Sequence, residues 1–157
     1  MAGGGLRGSG VNREEFARRV LRASTLDEYA ALSADIGEDH WLWADYTVLF
    51  RRLFDFPLKR LAFALAEATA SGAGQFRTLK TLESYEITAT KFAPDQRVYK
   101  ISFSLYRLAA YSRDPFRWAR LAHEQGLSVR KLKAAIEVGE GEQPSGYKKS
   151  LDIVPGP

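Results

Sequence analysis

Few side chains in this sequence are of the types that catalyse reactions or bind metal ions. It contains no Cys and only two His, His40 and His123. These counts exclude Cys-ligated zinc and iron–sulfur sites and leave little room for a His-rich metal site. No P-loop, HExxH, GxSxG or GxGxxG pattern occurs. We therefore expect no catalytic site, no metal ion and no cofactor, and we predict that the protein is not an enzyme.

The chemistry that the sequence favours is the binding of a polyanion. The formal net charge is +4, and the isoelectric point is about 9.4. Residues 51–133 contain 16 Lys or Arg and 7 Asp or Glu, a net charge of +9, whereas residues 1–50 and 134–157 carry net charges of −3 and −2. A basic folded surface attracts phosphates and releases their counterions. The alternative is a solvated surface that is cationic without a ligand.

Two helix pairs in the basic region have the pattern of a helix–turn–helix, in which a second helix presents polar side chains to the major groove of DNA. In the first pair, residues 58–70 are followed by a glycine-containing turn, 71–74, and by a predicted helix over 75–92. The start of that helix is rich in donors to phosphates and base edges. We predict these groove-facing residues: Gln75, Arg77, Thr78, Lys80, Thr81 and Ser84.

The second pair consists of predicted helices over 116–124 and 129–138, joined by a short turn at Gly126. Ser128 has the side chain of a helix N-cap. The second helix begins with Arg130, Lys131 and Lys133. Because such pairs also occur in all-α proteins that never touch nucleic acid, the pattern alone leaves both pairs open.

The stretch 101–137 resembles the part of the ParB/KorB-type DNA-binding domain that follows its helix–turn–helix. The residues that match in order are Ser102 or Ser104, Ala109, Asp114, Gly126, Leu127, Ser128, Val129, Arg130 and Leu132. Upstream, residues 58–92 fall where that family has its helix–turn–helix, so the resemblance covers 58–137. It departs from the family in lacking an upstream nucleotide-binding domain and in a looser turn at 71–74.

The resemblance implies a stand-alone protein of plasmid or phage type that binds specific double-stranded DNA sequences. It would serve replication, partition or transcription control. We also predict a homodimer, because a single small reading helix binds weakly, and a cytoplasmic, nucleoid-associated protein without a membrane partner. The missing nucleotide-binding domain means that CTP-dependent behaviour is not implied. Cations outside the first groove-facing set are predicted to contact the DNA backbone: Lys59, Arg60, Lys91, Arg97, Lys100, Arg107, Arg130 and Lys131.

The elements that must position these residues are helices. Apolar residues recur at helical spacing, no strand alternation is strong, and no run approaches the length of a membrane span. We predict an all-α fold of seven or eight short helices. Its segments would be a flexible arm (1–11), a helical extension with a possible role in dimerisation (12–56), a helix–turn–helix core (57–138) and a flexible tail (139–157).

Two other functions fit the same composition. The protein could be a helical adaptor that docks a partner through an aromatic surface formed by Trp41, Trp43, Phe50, Phe54 and Phe56. It could also be a ring-forming DNA-recognition subunit of a phage packaging machine. Salt-resistant protein complexes would favour the adaptor, and a large ring in solution would favour the packaging subunit.

Overall fold

The computed structural model describes residues 12–141 and is all-α. Within this range no residue is in a strand, and two 3₁₀-helices, Leu32–Asp35 and Pro94–Gln96, accompany the α-helices. The α-helices are α1 (Arg13–Arg22), α2 (Leu26–Ala31), α3 (His40–Phe54), α4 (Leu58–Ala70), α5 (Leu79–Lys91), α6 (Phe103–Ala110), α7 (Pro115–Gln125) and α8 (Val129–Gly141). The prediction of an all-α fold is confirmed.

Local capping explains where most of these helices begin. The side chains of Asn12, Thr25 and Asp39 accept hydrogen bonds from backbone N–H groups three residues later, at the starts of α1, α2 and α3. The same bond is made at the starts of α6, α7 and α8 by Ser102, Asp114 and Ser128. Each cap pairs a backbone donor that a helix leaves unsatisfied, which is worth about 1 kcal/mol.

Within the basic region, two helix boundaries differ from the sequence prediction by more than one residue. The helix predicted from Gln75 begins only at Leu79, because residues 75–78 are held in a non-helical connection. The last helix continues through Gly139 to Gly141, where a flexible tail was predicted to begin. The predicted arm, 1–11, and the rest of the predicted tail, 142–157, lie outside the described residues.

The chain forms two compact units, with the division between Thr90 and Lys91 at the end of α5. We call the described residues 12–90 unit 1 and the described residues 91–141 unit 2. The segment 57–138, predicted as one helix–turn–helix core, is therefore shared between the two units. No helix within residues 12–141 combines the length and apolar character needed to cross a bilayer.

Unit 1 has an aromatic core. The hydroxyl groups of Tyr29 and Tyr46 each donate to the other residue's carbonyl, and the two rings stack with centroids 4.4 Å apart. Burial raises the pKa of both tyrosines well above the ordinary value, so both hydroxyls stay protonated and donate. Trp43 is fully buried and stacks on Tyr85, which joins α3 to α5.

Unit 2 is built on three mutually packed helices, α6, α7 and α8. Their buried residues are mostly small or flat: Leu105, Tyr106, Ala109, Ala110, Trp118, Ala119, Ala122 and Leu132. The alanines let the helix axes approach, and Trp118 fills the space that remains. Short connections, 111–114 and 126–128, make this a helix–turn–helix with a supporting first helix.

The two units differ in charge. Unit 1 contains ten Lys or Arg and twelve Asp or Glu, a net charge of −2. Unit 2 contains ten Lys or Arg and five Asp or Glu, a net charge of +5. The excess of basic residues in the described chain is therefore confined to unit 2.

Candidate nucleic-acid interface

The turn between α7 and α8 is three residues long and tightly bonded. Gly126 adopts the left-handed conformation with φ of 61°, and the N–H groups of Gly126 and Leu127 both donate to the carbonyl of Ala122. This pattern satisfies the carbonyl of Ala122 and closes the end of α7. Ser128 then caps α8 by accepting from the N–H of Lys131 at 3.2 Å. The sequence prediction of a glycine turn followed by a serine cap is confirmed.

The start of α8 is basic and exposed. Leu132 is fully buried and fixes which face of the helix packs inward. Arg130, Lys131 and Lys133 surround it in sequence and are all exposed. No acidic residue stands in the first turn of α8. Three cations therefore project from the first two turns of this helix, in the part that a helix–turn–helix places nearest the bases.

The other end of α8 is clamped to the rest of unit 2. The indole Nε1 of Trp118 donates to Oε2 of Glu140 at 2.7 Å, and the backbone N–H of Arg113 lies 3.1 and 3.0 Å from the two carboxylate oxygens of Glu140. A side chain on Gly139 would meet the Trp118 ring, because an ideal Cβ there lies 2.7 Å from Cη2. These residues, predicted to lie in a flexible tail, instead fix the position of α8.

Two further cations of unit 2, both on α7, are exposed and were not among the predicted contacts. Arg117 and Arg120 are exposed, with the Arg117 guanidinium 4.5 Å from the centroid of the Trp118 ring. Arg120 lies 3.9 Å from Glu124 in an exposed pair, which is worth little to stability. The signal was present in the sequence: when Trp118 and Ala122 face inward, residues 117 and 120 must face outward.

The cations predicted to contact phosphates on α6 and in the segment that precedes it differ in exposure. Lys100 and Arg107 are exposed. Arg97 is half-buried, and its Nε donates to the carbonyl of Phe92 at 2.9 Å. The Tyr106 hydroxyl donates to the carbonyl of Tyr99 at 2.8 Å and accepts from its N–H at 2.7 Å, which fixes the chain between Arg97 and Lys100. Arg97 is thus used in holding this approach in place.

The connection between α4 and α5 has a different character from the turn of the second pair. It spans residues 71–78, and the N–H of Gln75 donates at 2.7 Å to the hydroxyl of Ser33, which is fully buried. Gly74 has φ of +88°, and an ideal Cβ there lies 2.8 Å from Cβ of Ala68 and 3.0 Å from the carbonyl oxygen of Ala30. This connection is part of the packing of unit 1.

Three of the residues predicted to face the groove are instead buried or bonded at this connection. Oε1 of Gln75 is buried and has no hydrogen-bond partner among the described residues. The Arg77 guanidinium lies 4.6 Å from the centroid of a Trp43 ring, and its Nη1 donates to the carbonyl of Phe76 at 2.8 Å. Oγ1 of Thr78 accepts from the N–H of Thr81 at 3.2 Å and so caps α5. All three precede α5 rather than forming its first turn.

The other predicted groove-facing residues lie on α5, and three cations predicted to contact the DNA backbone, Lys59, Arg60 and Lys91, lie on α4 and α5. On α5, Lys80 and Lys91 are exposed, whereas Thr81 and Ser84 are half-buried. Glu83 is exposed on the same helix, so α5 does not present a uniformly basic face. Lys59 and Arg60 are exposed in the first turn of α4, far in sequence from the rest of the predicted set.

The histidines and aromatic residues are also accounted for. Nδ1 of His40 lies 2.9 Å from the Tyr85 hydroxyl, and the His123 ring lies 5.6 Å from that of Tyr99. No group of three or more His, Asp or Glu among residues 12–141 is placed to hold a metal ion. Trp43 and Phe50, which an aromatic docking surface would need, are fully buried in the core of unit 1.

Comparison with known proteins finds no counterpart: no family model, no curated protein and no solved structure matches this chain.

Proposed function

We propose that the protein binds specific double-stranded DNA sequences through the helix–turn–helix formed by α7 and α8. The observation that carries the proposal is the exposed basic start of α8 directly after a three-residue turn with a left-handed glycine. A helix presented in this way fits the major groove of B-form DNA, and its first residues lie nearest the base edges.

Stability does not explain the cations at the start of α8. The N-terminal end of a helix carries a partial positive charge, so Arg130 and Lys131 are unfavourable there by a few tenths of a kcal/mol to about 1 kcal/mol each. By contrast, α1 and α2 carry Glu14, Glu15, Asp27 and Glu28 in their first turns. An anionic ligand at α8 accounts for the difference, because it would compensate the unfavourable charge.

The residues of unit 2 divide into two roles in this proposal. Arg130 and Lys131, on the first turn of α8, read base edges, for which guanine O6 and N7 are the usual acceptors. Arg117 and Arg120 on α7, with Lys133 on α8, contact phosphates and fix the register of the protein on the duplex. Glu140 and Trp118 hold α8 in place and do not contact DNA.

We further propose that the protein acts as a homodimer on a DNA site of a plasmid, phage or similar element, in replication, partition or transcription control. A single small reading helix binds weakly, and paired helices on a two-fold site raise both affinity and specificity. The net charge of unit 2 supplies a sequence-independent attraction that lets the protein search along DNA.

The test is binding of the full chain to duplex fragments of its source genome, measured over a range of salt concentrations. We expect preferred fragments to emerge and the logarithm of affinity to fall linearly with the logarithm of salt. Substituting R130A and K131A together should lower affinity for the preferred fragment about 30-fold or more, since each contact contributes roughly 1–3 kcal/mol. The double variant should be as stable as the wild type or more stable, because two cations are removed from the positively charged end of the helix.

A charge-matched control is available in α1. Arg18 and Arg22 are exposed, and replacing both by Ala removes the same net charge far from α8 in sequence. We expect the control to bind the preferred fragment nearly as well as the wild type. Equal losses in the two double variants, or no binding of any duplex by the wild type at low salt, would overturn the proposal.

A further inference from the structure

A second group of cations lies in unit 1, where the surrounding charge is acidic. Residues 51–60 contain four Lys or Arg and one Asp, a net charge of +3. The rest of unit 1 contains six Lys or Arg and eleven Asp or Glu, a net charge of −5. This short segment forms the junction between α3 and α4, so its cations are concentrated at one place on an otherwise acidic unit.

Three of these cations are exposed and outside the ion pairs seen among residues 12–141. We call Arg52, Lys59 and Arg60 the basic junction. Arg51, the fourth cation, pairs with Glu86 at 3.4 Å, and two further ion pairs of unit 1 join Arg13 to Asp39 and Arg19 to Asp35. The members of the basic junction therefore keep their charge available for a ligand.

The side chain of Arg60 is held in position by an aromatic ring. Its guanidinium lies 4.0 Å from the centroid of Phe56, and Phe56 in turn stacks on Phe54 with centroids 6.1 Å apart. A guanidinium fixed on a ring has already lost part of its conformational freedom, which lowers the entropy cost of binding. It also keeps its N–H donors at the edge of the plane, where they can bind a phosphate in a bidentate manner.

The helix dipole does not explain the two cations of α4. Lys59 and Arg60 stand in the first turn of α4. That turn contains no acidic residue, and no side chain caps the start of the helix. Cations there oppose the helix dipole, as they do at the start of α8. An anionic partner that neutralises them accounts for their presence in both helices.

We infer that the basic junction is a second, sequence-independent contact of this protein with the phosphates of duplex DNA. The inference rests on the proposed function, since it takes the DNA bound by α8 as the source of the phosphates. Unit 2 would then choose the sequence, and unit 1 would add affinity for any duplex. Contacts of this kind position a protein on DNA without reading bases.

The experiment compares the full-length K59A/R60A variant with R130A/K131A and with the charge-matched control R18A/R22A. Each protein is titrated with the preferred duplex and with an unrelated duplex of the same length, at several salt concentrations. We expect K59A/R60A to weaken binding of both duplexes by the same factor, about 10-fold, and to reduce the salt slope by about 2. Specificity, the ratio of the two affinities, should stay unchanged.

The outcomes separate this inference from the proposed function. If K59A/R60A keeps the wild-type salt slope, or behaves like R18A/R22A, while R130A/K131A loses specificity, the basic junction does not contact DNA and the function of α8 stands. If K59A/R60A lowers the specificity ratio, the basic junction is not a sequence-independent contact. Circular dichroism of each variant checks that it is folded, so that a loss of affinity reflects a lost contact with DNA. A folded R60K variant with an affinity between those of the wild type and K59A/R60A would support the role of the guanidinium held on Phe56.

Discussion

The two helix pairs that share a helix–turn–helix pattern in the sequence differ in how their connections are held. Between α7 and α8 the connection is three residues long, and its bonds are local, from Gly126 and Leu127 to Ala122. Between α4 and α5 it is eight residues long and bonded to Ser33, 42 residues away from Gln75. One connection presents a helix to solvent, and the other belongs to a core.

The side chains follow the same division. At the start of α5, Arg77 stacks on a buried tryptophan and Thr78 caps the helix. At the start of α8, Arg130 and Lys131 are exposed. Donor-rich residue types therefore do not by themselves identify a helix that reads DNA. What matters is whether the fold already uses those donors.

Replacing one glycine in each connection by alanine should show the difference between the two connections as a difference in unfolding free energy. Gly74→Ala combines a φ of +88° with close approaches to Ala68 and Ala30, and we expect it to cost about 3 kcal/mol of unfolding free energy. Gly126→Ala has a φ of +61° and nothing within 4 Å of the new Cβ, and should cost only about 1 kcal/mol. Urea unfolding of both variants measures this. Equal costs would contradict the view that only the first connection is packed.

An intermediate effect tests the clamp on α8. In Gly139→Ala the new methyl group would lie 2.7 Å from the Trp118 ring, so we expect a loss of about 2 kcal/mol. Gly141→Ala is the matched control, because nothing lies within 4 Å of its Cβ, and it should be neutral or slightly stabilising. Hydrogen exchange of the α8 amides reports the change locally. Unchanged protection in Gly139→Ala would show that the end of α8 is not fixed by Trp118.

A substitution of Arg77 distinguishes a structural role from a DNA-binding role for the connection between α4 and α5. Arg77→Ala removes the cation–π contact with Trp43, and we expect a loss of about 1 kcal/mol in stability with unchanged DNA affinity. Lys80→Ala, which alters an exposed residue of α5, should change stability by less than about 0.5 kcal/mol. Thermal unfolding and DNA titration of both variants provide the measurement. If the Arg77→Ala variant were as stable as the wild type but bound DNA weakly, we would infer that α5 contacts the DNA bases.

Much of the fold could be predicted because its signals are local. Ser128 was expected to cap the last helix and does so, since a cap satisfies backbone donors within three residues of itself. Helix α4 has its predicted bounds, and Gly126 ends α7 in the left-handed conformation. The basic residues at the start of α8 were also identified, because they stand next to these local signals.

The errors arose where distant residues decide the structure. The sequence from Gln75 is compatible with a helix, yet a hydrogen bond to Ser33 and the space beside Gly74 hold it in another conformation. Residues 139–141 have the composition of a flexible tail, yet Trp118 packs on Gly139 and bonds to Glu140. Neither contact can be inferred from the spacing of nearby residues in the sequence.

Residue types and their local order were thus enough to establish an all-α chain, the starts of α4 and α8 and a basic segment suited to phosphates. Which cations remain exposed, which helix of the two candidates is presented, and where the chain divides into units depended on packing between segments far apart in sequence. The physical reason is range: caps and turns act over three or four residues, whereas burial depends on the surfaces that meet when the whole chain is folded.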